Sequence, residues 1–278
     1  MRFRPCIDIH NGKVKQIVGS SLRDEGDRAK ENYVAELGAE AFAGMFRRDG
    51  LTGGHVILLN SKDSPFYEET RAEARAALRA YPGGLQVGGG ITAETAAGWI
   101  EAGASHVIVT SYVFREGRID FGHLDALVRA VGREHVVLDL SCRKKPDGGS
   151  AANPDEEPDE AYYVCTDRWQ HFTETKVDTK MLRSLAGQCD EFLVHGIAVE
   201  GKGSGIDEGL VSLLADFVSA EEVKALNGGK GFPVTYAGGI RSLGDIERLR
   251  TLGGGLVDYT VGSALDLYGG RLAYACLI

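Results

Sequence analysis

Short apolar runs rich in Val, Ile and Leu recur along the chain, separated by stretches whose apolar residues fall at helical spacing. The runs predict strands at Pro5–Ile9, Gly54–Asn60, Leu85–Gly88, His106–Ser111, His135–Leu140, Glu191–Gly196, Pro233–Ala237 and Leu256–Gly262. None alternates strictly between apolar and polar, as expected of strands covered on both faces. Spacing near 3.6 predicts helices over Ala29–Arg47, Glu68–Tyr81, Ala93–Ala102, Asp120–Val131, Thr179–Gln188, Asp207–Ser219 and Leu243–Leu252. Eight strand runs in alternation with helical stretches favour a closed parallel (β/α)8 barrel, the TIM-barrel class of α/β folds. A doubly wound open sheet would need one strand run to be false. The GxGxxG turn that would support it is missing after the first run.

Two stretches break the pattern. Asn11–Val18 (NGKVKQIV) alternates directly after the first strand and predicts a small hairpin or lid, on which Lys15 is expected to be solvated. Lys144–Glu160 is polar, rich in Pro and Gly, and acidic toward its end; it reads as a solvated, mobile loop excursion.

The two halves of the chain resemble each other. CIDI at Cys6–Ile9 answers LDLS at Leu138–Ser141, and GGHVILLN at Gly53–Asn60 answers DEFLVHG at Asp190–Gly196. QVGGGIT at Gln86–Thr92 answers TYAGGIR at Thr235–Arg241, and GASHVIVTSYVF at Gly103–Phe114 answers GGLVDYTVGSAL at Gly254–Leu265. A half-barrel has open sheet edges and an uncovered core, so two are needed to close. The repeat therefore predicts one domain over residues 1–278, with equivalent positions facing each other across the barrel axis.

Composition narrows the function. Hydrophobic residues make up 43% and charged residues 26% of the 278 residues, which is globular. A net charge of −9 argues against a nucleic-acid binder, and no apolar run is long enough to span a membrane. Cys6, Cys142, Cys165, Cys189 and Cys276 show no CxxC spacing and read as reduced thiols. That suits the cytoplasm, or a plastid if a transit peptide has been removed. The histidines form no HExxH motif, so a metal site has little support.

The candidate chemistry sits where a parallel barrel places it, at the C-terminal ends of the strands. Asp8 and Asp139 end the first and fifth runs. Gly88, Gly89 and Gly90 end the third, and Gly238 and Gly239 the seventh. Glycine lets the chain turn tightly and aim N–H groups at phosphate oxygens. Ser111 beside one turn, and Gly262 with Ser263 at a helix N-terminus beside the other, would complete two phosphate cups on opposite rims. Such cups suit a small substrate with a phosphate at each end. Two aspartates between them suit proton removal by one and delivery by the other. Asp139 has a structural alternative, pairing with Arg143 or Lys144. His195, at a strand end, is read either as a structural hydrogen-bonder or as a ligand contact.

These residues carry a resemblance. FRPCIDIHNGKVKQIVG, YPGGLQVGGGI, VVLDLSCRKK, TDRWQ, DEFLVHG, PVTYAGGI and DYTVGSALDLYGG resemble segments of the eukaryotic phosphoribosylformimino-aminoimidazole carboxamide ribotide isomerases of histidine biosynthesis. The likeness covers nearly the whole chain. It is closer than the likeness to the cyclase subunit of imidazole glycerol phosphate synthase, which shares the half-barrel repeat. The resemblance implies an Amadori rearrangement of a bisphosphate aminoaldose to an aminoketose without metal or cofactor. It implies Asp8 as the base that takes the C2 proton, and Asp139 as the second aspartate of the family. It also implies that Arg168 and Trp169 close over the substrate, the indole stacking on the imidazole. One departure stands out. Where bacterial members carry a Thr and then an Asp, this chain has Gly196 and, further on, Glu200, so the general acid is open between Asp139 and Glu200. A monomer acting on a small molecule is expected.

Overall fold

The computed structural model describes residues 1–17, 31–146, 160–166, 169–200 and 205–278. Eight parallel strands form its centre: β1 (Cys6–His10), β2 (Gly54–Leu58), β3 (Leu85–Gly88), β4 (Val107–Val109), β5 (Val136–Asp139), β6 (Glu191–His195), β7 (Val234–Ala237) and β8 (Asp258–Tyr259). Each pairs with the next in chain order. The ring closes where Phe3 bridges Tyr259 in parallel, with Arg4 N–H donating to the Tyr259 carbonyl at 2.8 Å and Tyr259 N–H to that of Arg2 at 3.0 Å. The chain is an α/β (β/α)8 barrel, and every predicted strand is present within a few residues of its expected ends.

Helices α1 (Ala39–Arg48), α2 (Tyr67–Ala80), α3 (Ala93–Glu101), α4 (Phe121–Val131), α5 (Thr179–Ala186), α6 (Glu208–Ser219) and α7 (Leu243–Leu252) cover the outside. Their buried stripes explain why. On α1, Ala39, Phe42, Ala43 and Phe46 face the barrel at helical spacing. Asp120, Asp178, Asp207 and Ser242 cap α4, α5, α6 and α7 by accepting a backbone N–H of the first turn. In place of an eighth helix, the chain makes two three-residue 3-10 turns, Asp266–Tyr268 and Tyr274–Cys276. Tyr268 packs on Phe42 of α1, with ring centroids 5.6 Å apart, and its hydroxyl donates to the Cys6 carbonyl. The final segment thus locks onto the first strand and helix.

Several expectations need correction. The helix predicted over Ala29–Arg47 begins only at Ala39, after Gly38; Glu31–Val34 is instead a strand paired antiparallel with Lys13–Ile17. Lys13–Ile17 itself folds back on β1 around Asn11–Gly12, both at positive φ, as the hairpin reading requires. Lys15 on that hairpin is buried, not solvated. The polar excursion is shorter than expected. Lys144–Pro146 and Glu160 belong to a three-stranded antiparallel sheet made of Cys142–Pro146, Glu160–Thr166 and His171–Lys176, while residues 147–159 lie outside the described residues. Ser263 does not start a helix; it sits in a turn ahead of the 3-10 turn at Asp266.

The barrel interior is layered, and β6 shows the layers in order. Glu191 at its start accepts hydrogen bonds from Arg4 (2.9 Å), Gln86 (2.9 Å) and Thr235 (2.8 Å), and Arg4 also pairs with Asp258 at 2.8 Å. Two residues on, Leu193 joins Ile57, Ile108, Val137 and Ala237 in an apolar plug. Two residues further, His195 opens into the mouth. Polar groups at either end are thus separated by an apolar layer.

Candidate active site

A cavity of about 300 Å³ opens above the plug. Asp8, Ser111, Asp139, Trp169, His195, Glu200, Gly238 and Gly262 all line it, so eight predicted site residues from both halves of the chain meet there. Gly88, Gly89, Gly90, Gly239 and Ser263 do not line it, and Arg168 lies outside the described residues. Gln16, Thr110, Ser141, Cys165 and Thr166 also line the cavity, and sequence reasoning did not single them out.

The two aspartates differ in their surroundings. Asp139, the last residue of β5, accepts from the Ser141 N–H (2.9 Å), the Ser141 hydroxyl (2.8 Å) and the Thr110 hydroxyl (3.0 Å). Burial still holds its carboxyl above the ordinary range, against the pull of Ser141, His195 and Thr110. Asp8 takes a single, longer bond from Gln16 Nε2 at 3.3 Å. Burial, reinforced by the Glu200 charge, pushes it up to about 7, although His195 and Gln16 pull the other way. Neither Arg143 nor Lys144 is a hydrogen-bond or salt-bridge partner of Asp139. Arg143 lies over the Phe172 ring at 4.5 Å and Lys144 over that of Tyr162 at 5.3 Å.

His195 and Glu200 form a pair, with Nε2 and Oε2 3.0 Å apart. Burial alone would lower His195, but the hydrogen bond and charge of Glu200, then Asp139 and Asp8, lift it above the ordinary imidazole value. Burial likewise opposes ionisation of Glu200, yet His195 and the Gly239 N–H hold it below the ordinary range. Gly239 therefore serves Glu200 through its backbone. Trp169 lines the cavity beside this pair, its ring edge-on to His195 with centroids 4.7 Å apart. Its backbone is left-handed, φ 67°, an uncommon state for a bulky residue.

The glycine turns are built tightly. Gly89 and Gly238 have φ of 108° and 115°; a Cβ on the first would lie 2.2 Å from the Leu58 carbonyl oxygen, and on the second 2.8 Å from that of Gly196. A Cβ on Gly262 would lie 2.6 Å from Gln16 Oε1, so its absence makes room for the amide that touches Asp8. Gly196 has a local reason too: a Cβ there would meet the Tyr236 hydroxyl at 3.2 Å. Among the described residues no three His, Cys, Asp or Glu side chains converge as metal ligands. None of the described helices is long and apolar enough to cross a membrane.

An opposed pair of desolvated carboxylates beside an ionised His–Glu pair can move protons to and from one bound molecule. Residues 2–272 match the histidine biosynthesis protein family. The chain is 50% identical to the chloroplastic 1-(5-phosphoribosyl)-5-((5-phosphoribosylamino)methylideneamino)imidazole-4-carboxamide isomerase of Medicago truncatula, over 99% of this chain and 80% of the relative. Isomerases of the same name from Neurospora crassa and Saccharomyces cerevisiae are 42% and 36% identical, over 97% and 98% of this chain and 94% of each relative. The chain belongs to the histidine biosynthesis protein family, beside its imidazole-4-carboxamide isomerase members.

Proposed function

We propose that this protein is the isomerase that its relatives are named for, an intramolecular aldose–ketose isomerase of histidine biosynthesis. It converts the bisphosphate aminoaldose to the aminoketose by acid–base catalysis, with no cofactor. The observation that carries the reading is Asp8 and Asp139 at the mouths of β1 and β5, half a ring apart, on one cavity. A base works best when its pKa lies near the working pH, and an Asp8 carboxyl near 7 meets that condition. Asp8 takes the C2 proton, and a donor across the cavity protonates the ring oxygen as the sugar opens. Asp139 and Glu200 are both placed to serve the donor side.

Ser111 faces the cavity from one side, and Gly238 with Gly262 from the other, which suits a phosphate at each end of the substrate. Gly88–Gly90, Gly239 and Ser263 remain part of the two-cup proposal through the turns they shape. Trp169, with Arg168 next to it, closes over the substrate. The same reading takes residues 1–278 as one monomeric domain. It places the protein in the cytoplasm, with a plastid as the alternative that the chloroplastic relative raises.

Turnover of the aminoaldose, assayed on wild type, Asp8→Asn, Asp139→Asn and Glu200→Gln, tests the proposal. Asp8→Asn should abolish turnover while KM changes little; near-normal kcat in that variant would overturn it. Ammonia-dependent cyclisation in place of isomerisation would favour the cyclase reading instead.

A further inference from the structure

The donor side of the cavity holds three candidates, and their hydrogen bonds tell them apart. Asp139 accepts three hydrogen bonds, from Ser141 twice and Thr110 once, so both its oxygens already face donors, even though burial holds its carboxyl above the ordinary range. Glu200 faces His195 Nε2 at 3.0 Å, and His195 with the Gly239 backbone favours its carboxylate form. A proton on either would compete with donors already in place. His195 is the complement. Its Nε2 faces Glu200 at 3.0 Å, so the imidazole is tied as a donor on that side. Nδ1 makes no protein hydrogen bond among the described residues, and the ring lines the cavity below Trp169.

We propose that the general acid is the imidazolium of His195, and that Glu200 is its positioning residue and not the proton donor. The proposal rests on the isomerase reading above. Every group facing the ring bears on it. Asp8 on β1, Asp139 on β5 and Glu200 favour the cation. Among the described residues His55 on β2 is the basic neighbour, and burial, with His195 and Arg4 adding to it, pushes it down to about 4, so it is neutral and does not oppose the cation.

The proton balance closes. Nδ1–H gives its proton to the ring oxygen as the C1–O bond breaks, leaving neutral imidazole and a C1=N iminium. Asp8 removes the C2 proton, and that electron pair forms C1=C2 and neutralises the nitrogen. Imidazole then takes the C2 hydroxyl proton as the carbonyl forms, while Asp8 returns its proton to C1. Both groups end in their starting states.

The test is the pH profile of kcat/KM on the aminoaldose. Wild type should fall on the acid side with Asp8 and on the alkaline side with His195. His195→Gln should lose about 10²–10⁴-fold in kcat, the usual worth of such a transfer, with KM little changed and the alkaline limb gone. Glu200→Gln should keep that limb but move it to lower pH, because a neutral amide no longer holds the cation. Asp139→Asn should keep it as well. An alkaline limb that survives His195→Gln and vanishes in either carboxylate variant would overturn the proposal. Wild type that fails to turn over the aminoaldose would instead overturn the isomerase reading. An NMR titration of the His195 imidazole needs neither turnover nor a folded His195 variant. It should show a pKa above about 6.5, the ordinary value, in wild type and a lower one in Glu200→Gln. A wild-type value below 6.5, or no fall in the variant, would sink the paired arrangement.

Discussion

A carboxylate sunk in a barrel mouth destabilises the fold that holds it. With Asp8 near 7 in the folded protein and near 4 when unfolded, the folded state holds a proton that the unfolded chain has lost. The stability that proton brings is present below about pH 4 and drains away as pH rises to about 7. Asp8→Asn, which keeps the neutral shape, should therefore raise the Tm by a few degrees above pH 7, with the gain gone below about pH 4. Thermal melts across pH check this, and turnover should vanish in the same variant. Gln16 has a subtler part. Its amide pulls the Asp8 carboxyl down, so Gln16→Leu should move the acid limb of the activity profile to higher pH. An unmoved limb would remove Gln16 from the site. Asp8, Asp139 and His195 are legible in the sequence because strand ends announce them, and Trp169 because its segment carries the family resemblance. Gln16 is not, because it reaches Asp8 only through a hairpin and a gap beside Gly262. Nor are Thr110 and Ser141, whose hydroxyls acquire meaning only once β4 and β5 lie side by side.

At the scale of the element, the strands were readable because burial on both faces writes an uninterrupted apolar run. The three-stranded sheet after β5 left no such mark. His171–Lys176 is largely polar and exposed, and the other two strands of its sheet are separated in sequence by residues 147–159. The false start of α1 has a similar cause: the polar and apolar residues of Glu31–Val34 fit either period over so short a span, and Gly38 set the true boundary. The glycine turns also divide in a way that spacing does not show. Gly89→Val should prevent folding or cut soluble yield sharply, since φ of 108° and a carbonyl 2.2 Å from the Cβ leave it no relief. Gly90 faces open space at φ 66°, with the nearest atom, on Lys62, at 3.8 Å. Gly90→Asn should fold, because Asn tolerates the left-handed region, and a raised KM would then report the phosphate cup directly. An unchanged KM would count against a phosphate at that turn.

At the scale of the whole molecule, the two ends of the barrel do separate work. Arg4, Gln86, Glu191, Thr235 and Asp258 knit one end, beneath the apolar plug and away from the cavity. Breaking a buried pair outright typically costs about 3–5 kcal/mol; Glu191→Gln leaves Arg4 its pair with Asp258, so the loss should fall below that. Glu191→Gln should lower the denaturation midpoint accordingly, while kcat per folded molecule holds; a selective loss of kcat would show that the layers are coupled. The eightfold alternation and the internal repeat made the ring itself legible. Its closure was not, because the bridge between Phe3 and Tyr259 depends on residues just outside any apolar run. That bridge has a consequence for synthesis. A ribosome releases Arg2–Arg4 more than 250 residues before their partner strand, so a nascent chain carries two unpaired sheet edges through that stretch of its translation. Such edges are templates for pairing with other chains. Contacts this distant in sequence also form slowly. The growing polypeptide thus stays open to mispairing until residue 259 has cleared the exit tunnel.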